Sequence, residues 1–217
     1  MQKFYRSEYP GEFVITNTVF KKGGKDQTRE WVDNPIEVTS SSCRACCIMP
    51  HGIIKSPSLK QLQNHSGGLL GRNKMQLYAV NDSWKEMNAD FSIVLTQPEL
   101  DEIISEGYHI DNVVYTSGAL CIANPGKFYL IPHGTLMVSP ATALWLACFD
   151  GHTDIYMFGY DLTDADMKTI HAVTKVMQTY NDVTFHHVSD VNSPDSWRRC
   201  INFNMMPRAE FVSQCDI

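Results

Sequence analysis

No stretch of this sequence approaches the roughly 18 consecutive apolar residues that cross a bilayer, and Met1 to Pro10 carries charges and aromatics where a signal peptide would be apolar. Neither a membrane span nor secretion is expected; the expected location is the cytoplasm, the host's if the source is viral. Charge is sparse, at 19% of the 217 residues against 43% hydrophobic, which is unlike a disordered chain. One independently folding domain is the expectation at this length. Basic excess is also missing: a net charge of -6 provides no overall field for a phosphate backbone. No G-x-G-x-x-G follows the first core strand, and neither G-x-x-x-x-G-K-[ST] nor G-x-S-x-G occurs. These absences argue against dinucleotide dehydrogenase, P-loop and ordinary serine-hydrolase chemistry. Repeats and low-complexity tracts are absent as well.

The seven cysteines are an odd number, and most lie in apolar runs, as reduced buried thiols do. Cys43, Cys46 and Cys47 with His51 form the one C-x-x-C grouping. No second pair completes a zinc tetrahedron at familiar spacing, so no metal site is expected.

From Ala45 onward short β-type runs alternate with helical patterns. The runs are 45–49, 75–80, 91–95, 112–115, 127–131, 154–158 and 183–188. Helices are expected at 58–64, at 98–106 with Gly107 ending it, at 140–149 with Ser139 as cap, and at 163–180 with Thr163 as cap. The helix at 140–149 is almost wholly apolar and should be buried. The alternation predicts an α/β fold, a doubly wound and mostly parallel sheet with helices on both faces. Residues 1–44 read as an N-terminal arm or β extension, with strands at 13–20 and 36–39 about the turn Lys21-Lys22-Gly23-Gly24-Lys25. Residues 45–191 read as the nucleotide-binding core and 192–217 as a C-terminal extension.

In such a sheet, ligands bind beyond the carboxyl ends of the strands, beside helix N-termini. Polar residues follow nearly every strand there: His51-Gly52 and then Ser58, Asn81-Asp82, Gln97, Ser117, His133, and Asp161. Gly52, Ser58, Asn81, Asp82, Gln97, Ser117, Ser139 and Thr142 are the expected nucleotide contacts.

The continuous stretch from Ser139-Pro-Ala-Thr-Ala-Leu through Asp154-Ile-Tyr-Met-Phe-Gly-Tyr-Asp161 resembles the bacterial sialyltransferase-like family and the Rossmann-like proteins grouped with 6-hydroxymethylpterin diphosphokinase. In both groups a serine opens a small-residue helix, and a strand of pattern apolar-Tyr-apolar-x-Gly-x-Asp ends at the site. Ser56-Pro57-Ser58-Leu59-Lys60, Asn81 and Gln97-Pro98 are similar to the family's other nucleotide-contacting turns. The resemblance spans about Ala45 to Val191 and implies a GT-A-like single domain holding a nucleotide-sugar donor of CMP or UDP type. The chain departs from the family where His51-Gly52-Ile53-Ile54-Lys55 replaces a glycine-rich turn and Pro140 replaces a glycine. It also lacks the lid that carries the family's catalytic histidine.

The expected reaction is sugar transfer to a hydroxyl acceptor, a saccharide or a hydroxymethylated DNA base. It needs a general base, with Asp161 first in rank and His51 and His133 after it. A DNA acceptor requires Lys21, Lys22, Lys25, Arg72, Lys74, Arg198, Arg199 and Arg208 to share a face. Of His186 and His187, which alternate on one strand, one should face the core and the other the site. A pterin or nucleotide diphosphokinase is the rival enzyme, clamping magnesium with Asp82, Asp161 and Asp164. A non-catalytic nucleotide-binding module is the third reading, and homo-oligomerisation stays open.

Overall fold

The computed structural model describes residues 1–8, 11–21, 24–33, 44–50, 52, 59, 75–134 and 137–215. Ten strands lie among them: β1 (Gly11–Lys21), β2 (Gly24–Asp33), β3 (Arg44–Ile48), β4 (Met75–Val80), β5 (Phe91–Ile93), β6 (Val113–Thr116), β7 (Tyr129–Leu130), β8 (Asp154–Phe158), β9 (Thr184–Val188) and β10 (Phe203–Met206). The helices are α1 (Gln97–Ser105), α2 (Tyr108–Asp111), α3 (Gly118–Ala123), α4 (Ser139–Phe149), α5 (Met167–Thr179), α6 (Asp195–Arg198) and α7 (Arg208–Cys215).

Strands β3 to β10 form one eight-stranded sheet in the order β10-β9-β8-β3-β4-β5-β6-β7, and every neighbouring pair is parallel. A parallel sheet is covered on both faces, so its strands read as continuous apolar runs. Met75-Gln-Leu-Tyr-Ala-Val80 is an example, buried at all six positions. Cys47, Tyr78, Met157 and Phe185 point to the face covered by α4 and α5; Cys46, Leu77, Tyr156 and Phe158 point to the other. This is a doubly wound, Rossmann-like α/β fold.

Helix α4 has no polar face, and all eleven of its residues are buried. It lies under the amphipathic α5, whose Ile170, Val173, Val176 and Met177 turn inward. On the opposite face α7 inserts Phe211 against Tyr156 and Phe158, ring centroids 5.0 and 4.7 Å away. Burying a side chain of that size contributes about 1.5–3 kcal/mol.

Several boundaries differ from the sequence expectation. The segment after 192 supplies an eighth strand, β10, and the helix α7, so it builds sheet and core where an extension was expected. The arm's second strand is Gly24–Asp33, paired antiparallel to β1, while 36–39 lies outside the described residues. Val138 is the cap of α4, and Ser139 is the helix's first residue. Thr163 does cap its segment: Thr163 N donates to Asp166 Oδ2 at 3.0 Å in a capping box, with a 3-10 turn before α5. The expected helix at 58–64 falls outside the described residues, Leu59 excepted.

Candidate functional site at the carboxyl edge of the sheet

From β3 the chain runs outward through β4, β5, β6 and β7; it then returns through α4 and runs the other way through β8, β9 and β10. Adjacent β3 and β8 therefore mark the topological switch point. Leu59, after β3, packs on one face and α5, after β8, on the other. Such divergence leaves a crevice beyond the two carboxyl ends, the common ligand position in this architecture.

Glycines let the backbones meet there. Met49 N donates to Phe158 O at 2.9 Å, and Gly52 N to Met49 O at 2.8 Å. Gly159 has φ 76°, and a Cβ on it would fall 2.5 Å from Gly52 N. One on Gly52 would fall 2.8 Å from the Phe158 carbonyl carbon, so neither position admits a side chain. Beside them the fully buried Tyr160 donates to Pro140 O at 2.9 Å, fastening the start of α4 to the end of β8. Burial pushes the Tyr160 hydroxyl up, keeping it a donor.

Asp161 comes next, its side chain 10% exposed. Its Oδ1 accepts from the Ser189 hydroxyl and lies 3.3 Å from His187 Nε2, while Oδ2 stands 3.7 Å from Arg208 Nη2. Arg208 also reaches Asp190 Oδ2 at 3.5 Å. The other ring nitrogen of His187, Nδ1, is 2.6 Å from Ser193 Oγ, and Trp197 meets the ring edge-on at 5.6 Å. A cleft of about 670 Å³ opens beside Asp161, lined by Leu162, Met167, His171, Ser193, Arg198 and Arg199 among others.

Asn81 ends β4 in a left-handed conformation, φ 51°, uncommon outside glycine and frequent at functional turns. The neighbouring Ser83 hydroxyl donates to Ile48 O at 3.0 Å and ties this turn to β3. Asn81 and Asp161 thus follow strands on either side of β3, two strand spacings or about 10 Å apart. Gly52, Asn81 and Asp161 follow β3, β4 and β8 at this edge, and Ser139 opens the helix that Tyr160 fastens to the end of β8.

The other expected contacts are engaged elsewhere. Asp82 pairs with Lys85 at 3.3 Å. Gln97 bridges Asn124 and Asp101, and Ser117 caps α3 by accepting from Leu120 N at 3.4 Å. They follow β5 and β6, two and three strands from β3. Thr142, fully buried, donates to its own helix's preceding carbonyls, Met137 O and Val138 O. His133 stacks on Phe4 at 4.1 Å and meets Phe149 at the far end of α4, away from the crevice. His51, Ser58 and Cys43 lie outside the described residues, as does the Asp164 side chain. Cys46 and Cys47 point to opposite faces of the sheet, and burial pushes both thiols well up, so they stay protonated.

His187 combines the two roles expected of separate histidines: it is fully buried, and yet it reaches Asp161. His186 faces the other side, stacked on Tyr156 and 3.4 Å from Asp154 at the strands' amino end. Ser189 and Ser193 were not foreseen, and Arg208 was expected only as part of a DNA-binding face. The signal was the polar run Ser189-Asp-Val-Asn-Ser193 directly after β9, the same kind of strand end that exposed the others.

Among the described residues, no three His, Cys, Asp or Glu side chains group as a metal site, and no helix is long and apolar enough to cross a membrane. Set against protein-family models, curated proteins and solved structures, the chain matches none.

Proposed function

We propose that this chain is a glycosyltransferase that moves a sugar from a CMP- or UDP-type donor to a hydroxyl acceptor, with Asp161 as general base. The observation that carries the reading is a carboxylate beyond the carboxyl ends of β3 and β8, the switch point at which Gly52 and Gly159 let the two backbones close on each other. A diphosphate suits this edge because ligands of parallel sheets bind beyond the strand ends, beside helix N-termini. Asp161 Oδ2, turned toward Arg208, would take the acceptor proton as the sugar–phosphate bond breaks.

A saccharide acceptor is favoured over DNA. Arg198, Arg199 and Arg208 lie at the β10 side of the sheet, whereas β1, which ends at Lys21, runs beside β7 at the opposite edge. Lys22, Arg72 and Lys74 are outside the described residues. For the diphosphokinase alternative, Asp82 is held by Lys85 and follows a different strand from Asp161, a poor start for a shared magnesium site.

The test is a thermal-shift panel of CMP, UDP and their sugar conjugates, followed by a transfer assay. A true donor at 100 times its Kd adds about 2.7 kcal/mol of stability. Asp161→Asn should abolish transfer and leave donor binding within about threefold, since the carboxamide keeps the shape. Full transfer by that variant rejects the base assignment; no stabilisation by any nucleotide rejects the donor site.

A further inference from the structure

We infer that Ser193, His187 and Asp161 form a proton relay that makes Ser193 a nucleophile toward esters or thioesters, independently of the transferase reading. His187 is the centre of the argument. Its Nε2 lies 3.3 Å from Asp161 Oδ1, an electrostatic contact without hydrogen-bond alignment, and the carboxylate's negative charge favours the proton on that side. Nδ1 is thereby the basic nitrogen, and it stands 2.6 Å from Ser193 Oγ, within reach of the hydroxyl proton. The ring is held in this orientation. It is fully buried, Trp197 packs edge-on against it, and Trp197 is itself fixed by donating Nε1 to Ile170 O at 3.2 Å.

Asp161 is fixed in turn by the Ser189 hydroxyl, and Val191 N donates to Ser189 Oγ at 3.1 Å, ordering the loop that carries Ser193. Ser193 is 3% exposed, yet it lines the 670 Å³ cleft, so its hydroxyl sits at a wall a ligand can reach. A nucleophile, a base and an orienting carboxylate in contact are the constellation by which acyl-transfer sites are recognised whatever their order in the chain. Here the order is Asp161, His187, Ser193, on the loop after β8, within β9 and on the loop after β9, and it needs no nucleophile elbow.

The chemistry balances within these groups. Ser193 Oγ bonds to the acyl carbon, its proton passes to His187 Nδ1, the C–O or C–S bond breaks, and that proton leaves on the alcohol or thiol. Water then releases the acid by the same steps reversed. Leu162, Met167 and Ile170 give the cleft an apolar side. Arg198 is turned to Asp195, while Arg199 pairs with no carboxylate among the described residues. The class of substrate is therefore an apolar acyl group with an anionic remainder.

The relay is tested with a fluorophosphonate, which bonds to an activated serine with loss of fluoride. One adduct per chain on the full-length protein, mapped to Ser193 by peptide mass spectrometry, is expected. Ser193→Ala should abolish it, and His187→Gln should slow it by about 100-fold, the low end of general-base effects. 3-Octanoyloxy-4-nitrobenzoate, an apolar acyl group on an anionic phenol, should give a burst of one nitrophenolate per chain and outpace p-nitrophenyl acetate. Wild-type protein left unlabelled under conditions that label a control esterase completely overturns the proposal, as does equal labelling of Ser193→Ala. The first outcome needs no variant and neither needs a nucleotide donor, so failure here and failure of the transferase reading are told apart.

Discussion

Two polar networks flank the same sheet, built from similar parts and placed at opposite ends. At the amino end, Arg6 and Asp150 are ion-paired with side chains 6% and 0% exposed. Tyr78 donates to Asp150 Oδ2 at 2.6 Å, Arg6 Nη2 donates to the Tyr115 hydroxyl at 3.2 Å, and Gln76 and His152 close the set. At the carboxyl end, Arg208, Asp161, His187 and two serines make the comparable group, but Arg208 is 23% exposed and one of the serines, Ser193, lines a cleft. In the first network Arg6, Gln76, Asp150 and His152 are all buried. That network fixes the N-terminal segment onto α4 and β4. The difference teaches that the residue types alone do not mark a site: an arginine, a carboxylate, a histidine and a hydroxyl serve as a rivet where protein covers them, and the proposed chemistry rests on the cleft beside the second set.

Removing the carboxylate from each network is the sharpest way to break this comparison. Asp150→Ala leaves the Arg6 guanidinium buried without its counter-charge and should cost about 3–5 kcal/mol in urea unfolding. Asp161→Asn should cost about 1–2 kcal/mol, because Arg208 turns to Asp190 and water while the amide still accepts from Ser189. Equal losses would make the upper network a second rivet and remove the ground for either activity.

A smaller loss is expected at the switch point. Gly159→Ala must keep φ 76° and place a Cβ 2.5 Å from Gly52 N. The strain costs about 1–3 kcal/mol, and the two backbones must part. Thermal unfolding together with nucleotide binding separates the effects. Binding lost while most of the fold survives supports the crevice as the donor site, and unchanged binding would place the donor elsewhere.

Much of this arrangement was legible in the sequence, and for a physical reason. Strands buried on both faces, such as 75–80 and 154–158, carry their own hydrophobic signature, and a helix as apolar as Ser139–Phe149 has to be interior. Asp161 and Asn81 were visible because a parallel sheet sends its strand ends to one edge. What escaped was set by tertiary contacts. β10, Phe203-Asn-Met-Met206, is a four-residue edge strand with two exposed positions and no β-branched residue. β2, from Gly24 to Asp33, is too polar for a hydrophobic period and exists through its pairing with β1. His133 follows β7 in sequence, but the chain folds it back onto Phe4 and Phe149. Ser193 needed the position of His187, which no spacing rule supplies.

The smallest effect belongs to the rim of the amino-end rivet, where the Lys3 ammonium donates to Asp182. That hydrogen bond holds the Asp182 carboxyl below its ordinary range and raises Lys3. The folded carboxyl thus has the lower pKa, so its contribution is complete above the unfolded value of about 4 and fades as pH falls through the lower folded value. With side chains 33% and 57% exposed, the pair should be worth about 0.2–1 kcal/mol. Asp182→Asn should therefore lower the unfolding midpoint slightly at pH 6, and the gap from wild type should close in acid as the folded carboxyl takes up its proton. A gap that persists in acid would show that Asp182 acts on the arm through something other than its charge. A gap as large as that of Asp150→Ala would move the boundary of the sealed network out to the surface.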